Sequence, residues 1–121
     1  MSTWNPDDLS ALERAREVRV AGRRADGTLR PLVTIWDVVV DGAVYVRSAR
    51  GAEGGWYRGV LAGTGGALEW DGTPRDVVYA SDSSADEAVD AAYFAKYGDT
   101  SSSRTMIAPG AVATTLRVDP A

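Results

Sequence analysis

From Glu17 onward the apolar positions recur every second residue: Val18, Val20 and Gly22 point one way, and Glu17, Arg19, Ala21 and Arg23 the other. That period predicts a strand with one wet face. Asp26-Gly27 then marks a turn with a preference for positive φ. The chain returns through Leu29 and Arg30 into a long strand, Leu32–Val40, whose leading Pro31 cannot donate a ladder bond. Asp41-Gly42 is a second two-residue turn, and a tight hairpin there sets Val40 against Ala43, Val38 against Tyr45 and Trp36 against Arg47. One face of this hairpin carries Val33, Ile35, Val39, Val44, Val46 and Ser48 and is assigned to the interior. The other carries Thr34, Trp36, Val38, Tyr45 and Arg47, an aromatic and basic outer surface. Asp37 falls on the interior face. A nearby arginine partner, or a bulge turning it outward, accounts for it better than catalysis, because a lone carboxylate specifies no reaction.

The remaining pattern is shorter-ranged. Asn5-Pro6 followed by two aspartates predicts a helix over Pro6–Ala15, with Leu9, Leu12 and Ala15 as its apolar stripe and Trp4 stapling its start. Residues 56–62 predict a short helix that ends in Gly63–Gly66. Alternation predicts strands over Gly66–Asp71 and Arg75–Ser81, and a last one over Ala111–Val118. Ser84-Ala-Asp-Glu87 has capping-box spacing at the head of a longer helix that stops at Gly98, with Ala85, Ala88, Val89, Ala92 and Tyr93 on one face. Tyr93, Phe94 and Tyr97 in its last turns read as packing residues before ligand residues. Asp99–Arg104 reads as a polar connection or one helical turn. Six strands joined mostly by hairpins, with one long and two short helices, predict an α+β domain over residues 1–121 with a mainly antiparallel sheet; closing it into a small barrel would remove the exposed edges.

Composition narrows the chemistry more than the fold. The chain has no cysteine and no histidine, which excludes thiolate nucleophiles, disulfides, Ser-His-Asp catalysis and most zinc or iron sites. Any reaction must use carboxylates, tyrosines, arginines, the single lysine Lys96, the backbone or a cofactor with its own reactivity. A net charge of −4 argues against a general nucleic-acid or membrane-surface role, and no run approaches the length of a membrane span. The N-terminal run MSTWNPDD lacks a secretory layout, so the expected location is cytoplasmic. The excess of arginine over lysine suits phosphate or carboxylate recognition, but genome base composition is the better explanation of it.

The densest candidate chemistry lies directly after the predicted hairpin, where Arg47, Ser48 and Arg50 run into a glycine-rich loop and Trp56-Tyr57-Arg58. Gly54 and Gly55 let a backbone approach a ligand, and the amides at the following helix start favour an anion. The run is not a P-loop, since it lacks both the lysine and the spacing.

The segments RADGTLRP, IWDVVVDGAVYVRSARG, GGWYRGVL, DAAYFAKYG and ATTLRV resemble a small bacterial family of uncharacterised proteins. That family is itself similar to flavin-binding split-barrel proteins related to pyridoxamine-phosphate oxidase. The resemblance implies a split barrel, a homodimer with its cofactor site between subunits, and FMN or a deazaflavin as cofactor; with neither histidine nor cysteine, no metal is expected. It further implies Arg47, Ser48, Arg50 and Arg58 as phosphate contacts and Trp36 and Trp56 flanking the ring or ribityl chain. The face pattern alone sets Ser48 opposite Arg47 unless the strand end twists or bulges. Three functions follow: a flavin- or deazaflavin-dependent oxidoreductase acting on a small molecule by hydride transfer; a cofactor-free cyclase or isomerase using Tyr45, Tyr57, Asp37 or Glu53; and a non-enzymatic ligand-binding dimer.

Overall fold

The computed structural model describes residues 3–63 and 65–121. Met1 and Ser2 of the N-terminal run, and Thr64 within the predicted Gly63–Gly66 connection, lie outside the described residues. Asn5 Oδ1 accepts a 2.8 Å bond from the Asp8 N–H and Pro6 supplies a helical φ, so helix α1 spans Pro6–Arg14. Four strands follow: β1 (Val18–Gly22), β2 (Val33–Ile35), β3 (Val38–Val40) and β4 (Ala43–Val46). A single 3-10 turn, Gly51–Glu53, leads into α2 (Gly55–Leu61). Next come β5 (Gly65–Glu69), β6 (Arg75–Ser81), α3 (Asp86–Tyr97), α4 (Ser101–Met106), α5 (Pro109–Val112) and β7 (Leu116–Pro120).

The strands form one antiparallel sheet in the order β2-β1-β5-β6-β7-β4-β3. β2 and β3 are its two opposite edges, yet only Trp36 and Asp37 separate them in the chain. A flat sheet of this width would hold its edges about 29 Å apart, whereas the three Cα steps from Ile35 to Val38 reach at most about 11 Å. The sheet therefore curls until its edges meet at Trp36-Asp37. This is the expected α+β split-barrel architecture, with seven strands where the pattern predicts six.

The extra strand arises because the predicted Leu32–Val40 run breaks in two. Its first half pairs with β1, Val33 opposite Val20, and its second half pairs with β4. The hairpin register holds: Val38 faces Tyr45 and Val40 faces Ala43, around Asp41 and Gly42 at φ 48° and 79°. The predicted Trp36–Arg47 pair does not form, since the chain leaves the ladder at Asp37 to cross to the other edge.

Inside the curl, Val18, Val20, Val44, Val46, Leu68, Val77, Leu116 and Val118 form the core, closed by Trp4, Leu12, Tyr57 and Val60. The Trp4 indole donates a 2.8 Å bond to the Val118 carbonyl, tying the start of α1 to β7. Helix α2 packs on β1 at Gly22, where an added Cβ would stand 2.5 Å from the Gly59 carbonyl oxygen. Outside the curl, Val38 and Tyr45 are covered by Val89, Tyr93 and Tyr97 of α3 and by Met106 of α4. The face expected to be an aromatic and basic outer surface is thus largely a second core. Val33, assigned to the interior, is 38% exposed on the β2 edge.

Three further boundaries differ from the sequence pattern. The capping box does not form: α3 starts at Asp86 behind Ala85, and the Ser84 hydroxyl donates to Asp82 Oδ1. Asp99–Arg104 belongs largely to α4, capped by Thr100 accepting from the Ser103 N–H. The predicted last strand forms only from Leu116: Pro109 opens α5, which takes in Ala111 and Val112, and β7 then runs Leu116–Pro120. Among the described residues no helix is long and apolar enough to cross a membrane.

Candidate functional site

The same break that divides β2 from β3 leaves a cavity of ≈ 620 Å³ beside the seam. Its walls come from four segments: Val33–Trp36, the neighbouring stretches Arg47–Arg50 and Gly54–Trp56, and, far along the chain, Ser102, Thr105 and Met106 of α4. The volume falls within the range of about 300–1,000 Å³ usual for small-molecule sites. Trp36, Arg47, Ser48, Arg50 and Trp56 all line it, whereas Arg58 lies exposed on α2 and does not.

Arg47 occupies a different position from that of a free phosphate contact. Its side chain is wholly buried, and all five of its N–H donors have partners. Nε donates to Thr115 Oγ1 at 2.8 Å, Nη1 to Asp90 Oδ1 at 2.5 Å and to the Met106 carbonyl at 3.0 Å, and Nη2 to the Asp86 carbonyl and Oδ1 at 3.3 Å each. The guanidinium therefore clamps the end of β4 to α3, to α4 and to the segment before β7. No donor is left for a ligand, which corrects the sequence expectation: α3 and α4 land on the face where Arg47 was to meet solvent.

Ser48 stands on the same wall as Arg47, although an ideal strand would place them on opposite faces. β4 ends at Val46, and beyond it the alternation lapses. The Ser48 N–H donates a 2.8 Å bond to Thr114 Oγ1, and its hydroxyl packs against Gly54, where a Cβ would overlap Ser48 Oγ. A glycine at 54 thus lets the start of α2 approach the β4 end. Arg50, at the mouth, is exposed and makes no ion pair among the described residues. It is the cation in the cavity lining whose charge is not already matched.

The two indoles form the flat parts of the wall. Trp36 stacks on Tyr97 with ring centroids 3.8 Å apart and planes 3° from parallel; Trp56 meets Tyr57 edge to face at 6.1 Å. Both tryptophans are half-buried. Sequence reasoning missed α4 as a wall: Thr100 and Ser103 have helix-cap spacing, but nothing local says which surface the helix covers.

Asp37, Tyr45, Glu53 and Tyr57, the residues of the cofactor-free reading, do not line this cavity. Asp37 is fully buried and paired with Lys96 at 2.9 Å, so its partner is the single lysine and not an arginine. Burial pushes its carboxyl up to about 6 despite the opposing pull of Lys96. Lys96 also donates to the Leu12 carbonyl at 3.1 Å and the Asp37 carbonyl at 3.0 Å. Burial likewise raises Tyr93 and Tyr97, so both stay protonated near neutral pH. No group of three or more metal-ligating side chains occurs among the described residues.

Several solved structures share this architecture. The heme storage protein HutZ from Vibrio cholerae aligns at a TM-score of 0.64 and 13% identity, over 100% of this chain and 92% of that one. A conserved hypothetical protein from Mycobacterium tuberculosis aligns at 0.62 and 16%, over 99% and 81%. An F420 reductase aligns at 0.57 and 20%, over 93% and 91%. At these identities the likeness speaks for the fold. No curated protein matches the sequence. Residues 8–118 match the model of one family, described as "Uncharacterized protein conserved in bacteria (DUF2255)".

Proposed function

We propose that this chain, which belongs to the DUF2255 family of bacterial proteins, binds a flavin or deazaflavin in the seam cavity and acts as an oxidoreductase on a small molecule. The observation that carries the proposal is the meeting of Trp36, Ser48, Arg50 and Trp56, from three separate stretches of chain, around one ≈ 620 Å³ space. Two indoles and the apolar Val33, Ile35 and Met106 suit a flat ring, and an unpaired guanidinium at the mouth suits an anionic tail. The F420 reductase and a putative pyridoxamine 5'-phosphate oxidase from Listeria innocua among the structural neighbours agree with that ligand class.

When bound, the ring itself supplies hydride chemistry; the chain's tasks are to bind, orient and exclude water. Trp36 and Trp56 would flank the ring, Arg50 would take the phosphate with the Ser48 hydroxyl beside it, and Arg47 would keep α4 closed over the far wall. Arg58 has no part in this reading. Among the described residues that line the cavity, Arg50 is the one cation without an ion-pair partner, and a second copy contributing to the mouth would add to the charge available for a phosphate.

Titration of the purified protein with flavin mononucleotide and with a deazaflavin tests the proposal directly. The expected result is saturable binding of one of them with a shifted visible spectrum. Failure of both to bind a folded protein overturns it.

A further inference from the structure

Trp36 lines the cavity and also lies against Tyr97, ring on ring, with centroids 3.8 Å apart and planes 3° from parallel. Its stacked face is therefore closed to any ligand. Tyr97 meets the same stretch of chain a second time through its hydroxyl. The hydroxyl oxygen accepts the Asp37 N–H at 3.2 Å, and its proton faces the carbonyls of Arg16 at 2.9 Å and Asp37 at 3.1 Å. One side chain thus grips the ring of residue 36 and the backbone of residue 37. Both residues lie where the chain crosses between the sheet edges, outside the ladders of β2 and β3.

A residue outside a ladder lacks the sheet bonds that would fix its backbone, and its side chain keeps every staggered position that neighbours do not block. At this crossover Tyr97 supplies what the sheet does not. It is itself well held: it ends α3, which is anchored on Val38 and Tyr45 through Val89 and Tyr93. The Tyr93 ring lies 6.2 Å from its own, and the Arg16 guanidinium and the Lys96 ammonium each stand 5.2 Å from its centroid.

We propose that Tyr97 is a positioning residue for the cavity: it fixes Trp36 in one rotamer before any ligand arrives, so that a flat ligand meets a preformed wall and only the indole surface that Tyr97 leaves free. The ring stack sets the indole, and the hydroxyl sets the backbone that carries it. Tyr97 does not line the cavity, so its effect on a ligand passes through Trp36. Three staggered χ1 wells and a roughly two-fold χ2 give a released indole about six positions. A wall that is competent in about one of six weakens binding by up to about sixfold.

The first arm of the test needs no ligand. Protein labelled with 5-fluorotryptophan gives a fluorine NMR line for Trp36, assigned by its loss in Trp36→Phe. In the wild type the relaxation of that line should match tumbling of the whole chain. Tyr97→Leu should add fast local motion, and Tyr97→Phe, which keeps the stack, should stay close to the wild type. Fast motion in the wild type, or a Trp36 that is equally rigid in folded Tyr97→Leu, overturns the proposal. If Tyr97→Leu does not fold, the wild type and Tyr97→Phe decide: rigidity in both supports the proposal, and fast motion in either overturns it. The second arm rests on the flavin reading above. Flavin mononucleotide affinity should fall by up to about sixfold in Tyr97→Leu and return in Tyr97→Phe. In a Trp36→Ala background Tyr97→Leu should change it no further; an equal loss there overturns the positioning role. If flavin mononucleotide binds no form of the protein, the flavin reading fails and the first arm alone decides this one.

Discussion

The Arg47 guanidinium and the Asp90 carboxylate meet at 2.5 Å, and the Arg47 side chain has no exposure to solvent. The partners keep some water, Asp86 being 27% and Asp90 38% exposed, so removal of the arginine leaves carboxylates that can hydrate. What is lost is a clamp between β4, α3 and α4. Arg47→Ala should cost about 2–4 kcal/mol of stability, toward the low end for a broken buried pair, measured by urea unfolding. Arg47→Lys should recover only part of this, because an ammonium has fewer donors and no planar fork.

Arg50 should behave in the opposite way. It is exposed and unpaired, so Arg50→Ala should leave stability within about 0.5 kcal/mol. It should weaken an anionic ligand by about 1.5–3 kcal/mol if the guanidinium makes a charge-assisted contact. Paired urea melts and flavin mononucleotide titrations separate the two effects. An affinity unchanged in Arg50→Ala removes Arg50 from the proposed site.

The contact between Gly22 and Gly59 sets how closely α2 lies on β1. A Cβ at Gly22 would meet backbone, the Gly59 carbonyl oxygen at 2.5 Å and its carbonyl carbon at 2.7 Å, and neither can turn aside as a side chain would. Gly22→Ala should therefore destabilise by about 1–3 kcal/mol, as overpacking does. Gly59→Ala meets the flexible Arg30 side chain instead and should cost less in the same unfolding measurement.

Asp37 gives a pH signature of defined sign. Its folded pKa, about 6, lies above its unfolded value of 3.8, so the folded chain binds this proton more tightly. The stability it contributes is full below the unfolded value and is lost as pH rises through about 6, to a total of about 3 kcal/mol at most. Glu69 and Asp71 work the other way, held down by hydrogen bonds from Arg19 and Arg75. The wild type minus Asp37→Asn difference in unfolding free energy, followed across this window, isolates the term. A flat difference between about pH 4 and about pH 7 contradicts it.

The parts of this protein legible in its sequence are those set by near neighbours. Asp41-Gly42 takes positive φ at both positions and so dictates the Val38–Tyr45 and Val40–Ala43 register. Asn5-Pro6 starts α1, and alternation locates β6 from Arg75 to Ser81. The clustering of Arg47–Arg50 and Gly54–Trp56 also marked where the cavity would be, because both stretches lie close together in the chain. Tertiary structure decided the rest. Only closure of the sheet explains why a run of alternating residues must break at Trp36-Asp37, since the demand comes from two edges joined across the whole barrel. Only the landing of α3 on the hairpin turned Arg47 from an expected ligand contact into a buried clamp and passed the free charge at the mouth to Arg50. A turn is chosen by the conformational limits of two residues; which face of a strand meets water is chosen by what packs against it, and residues far along the chain supply that.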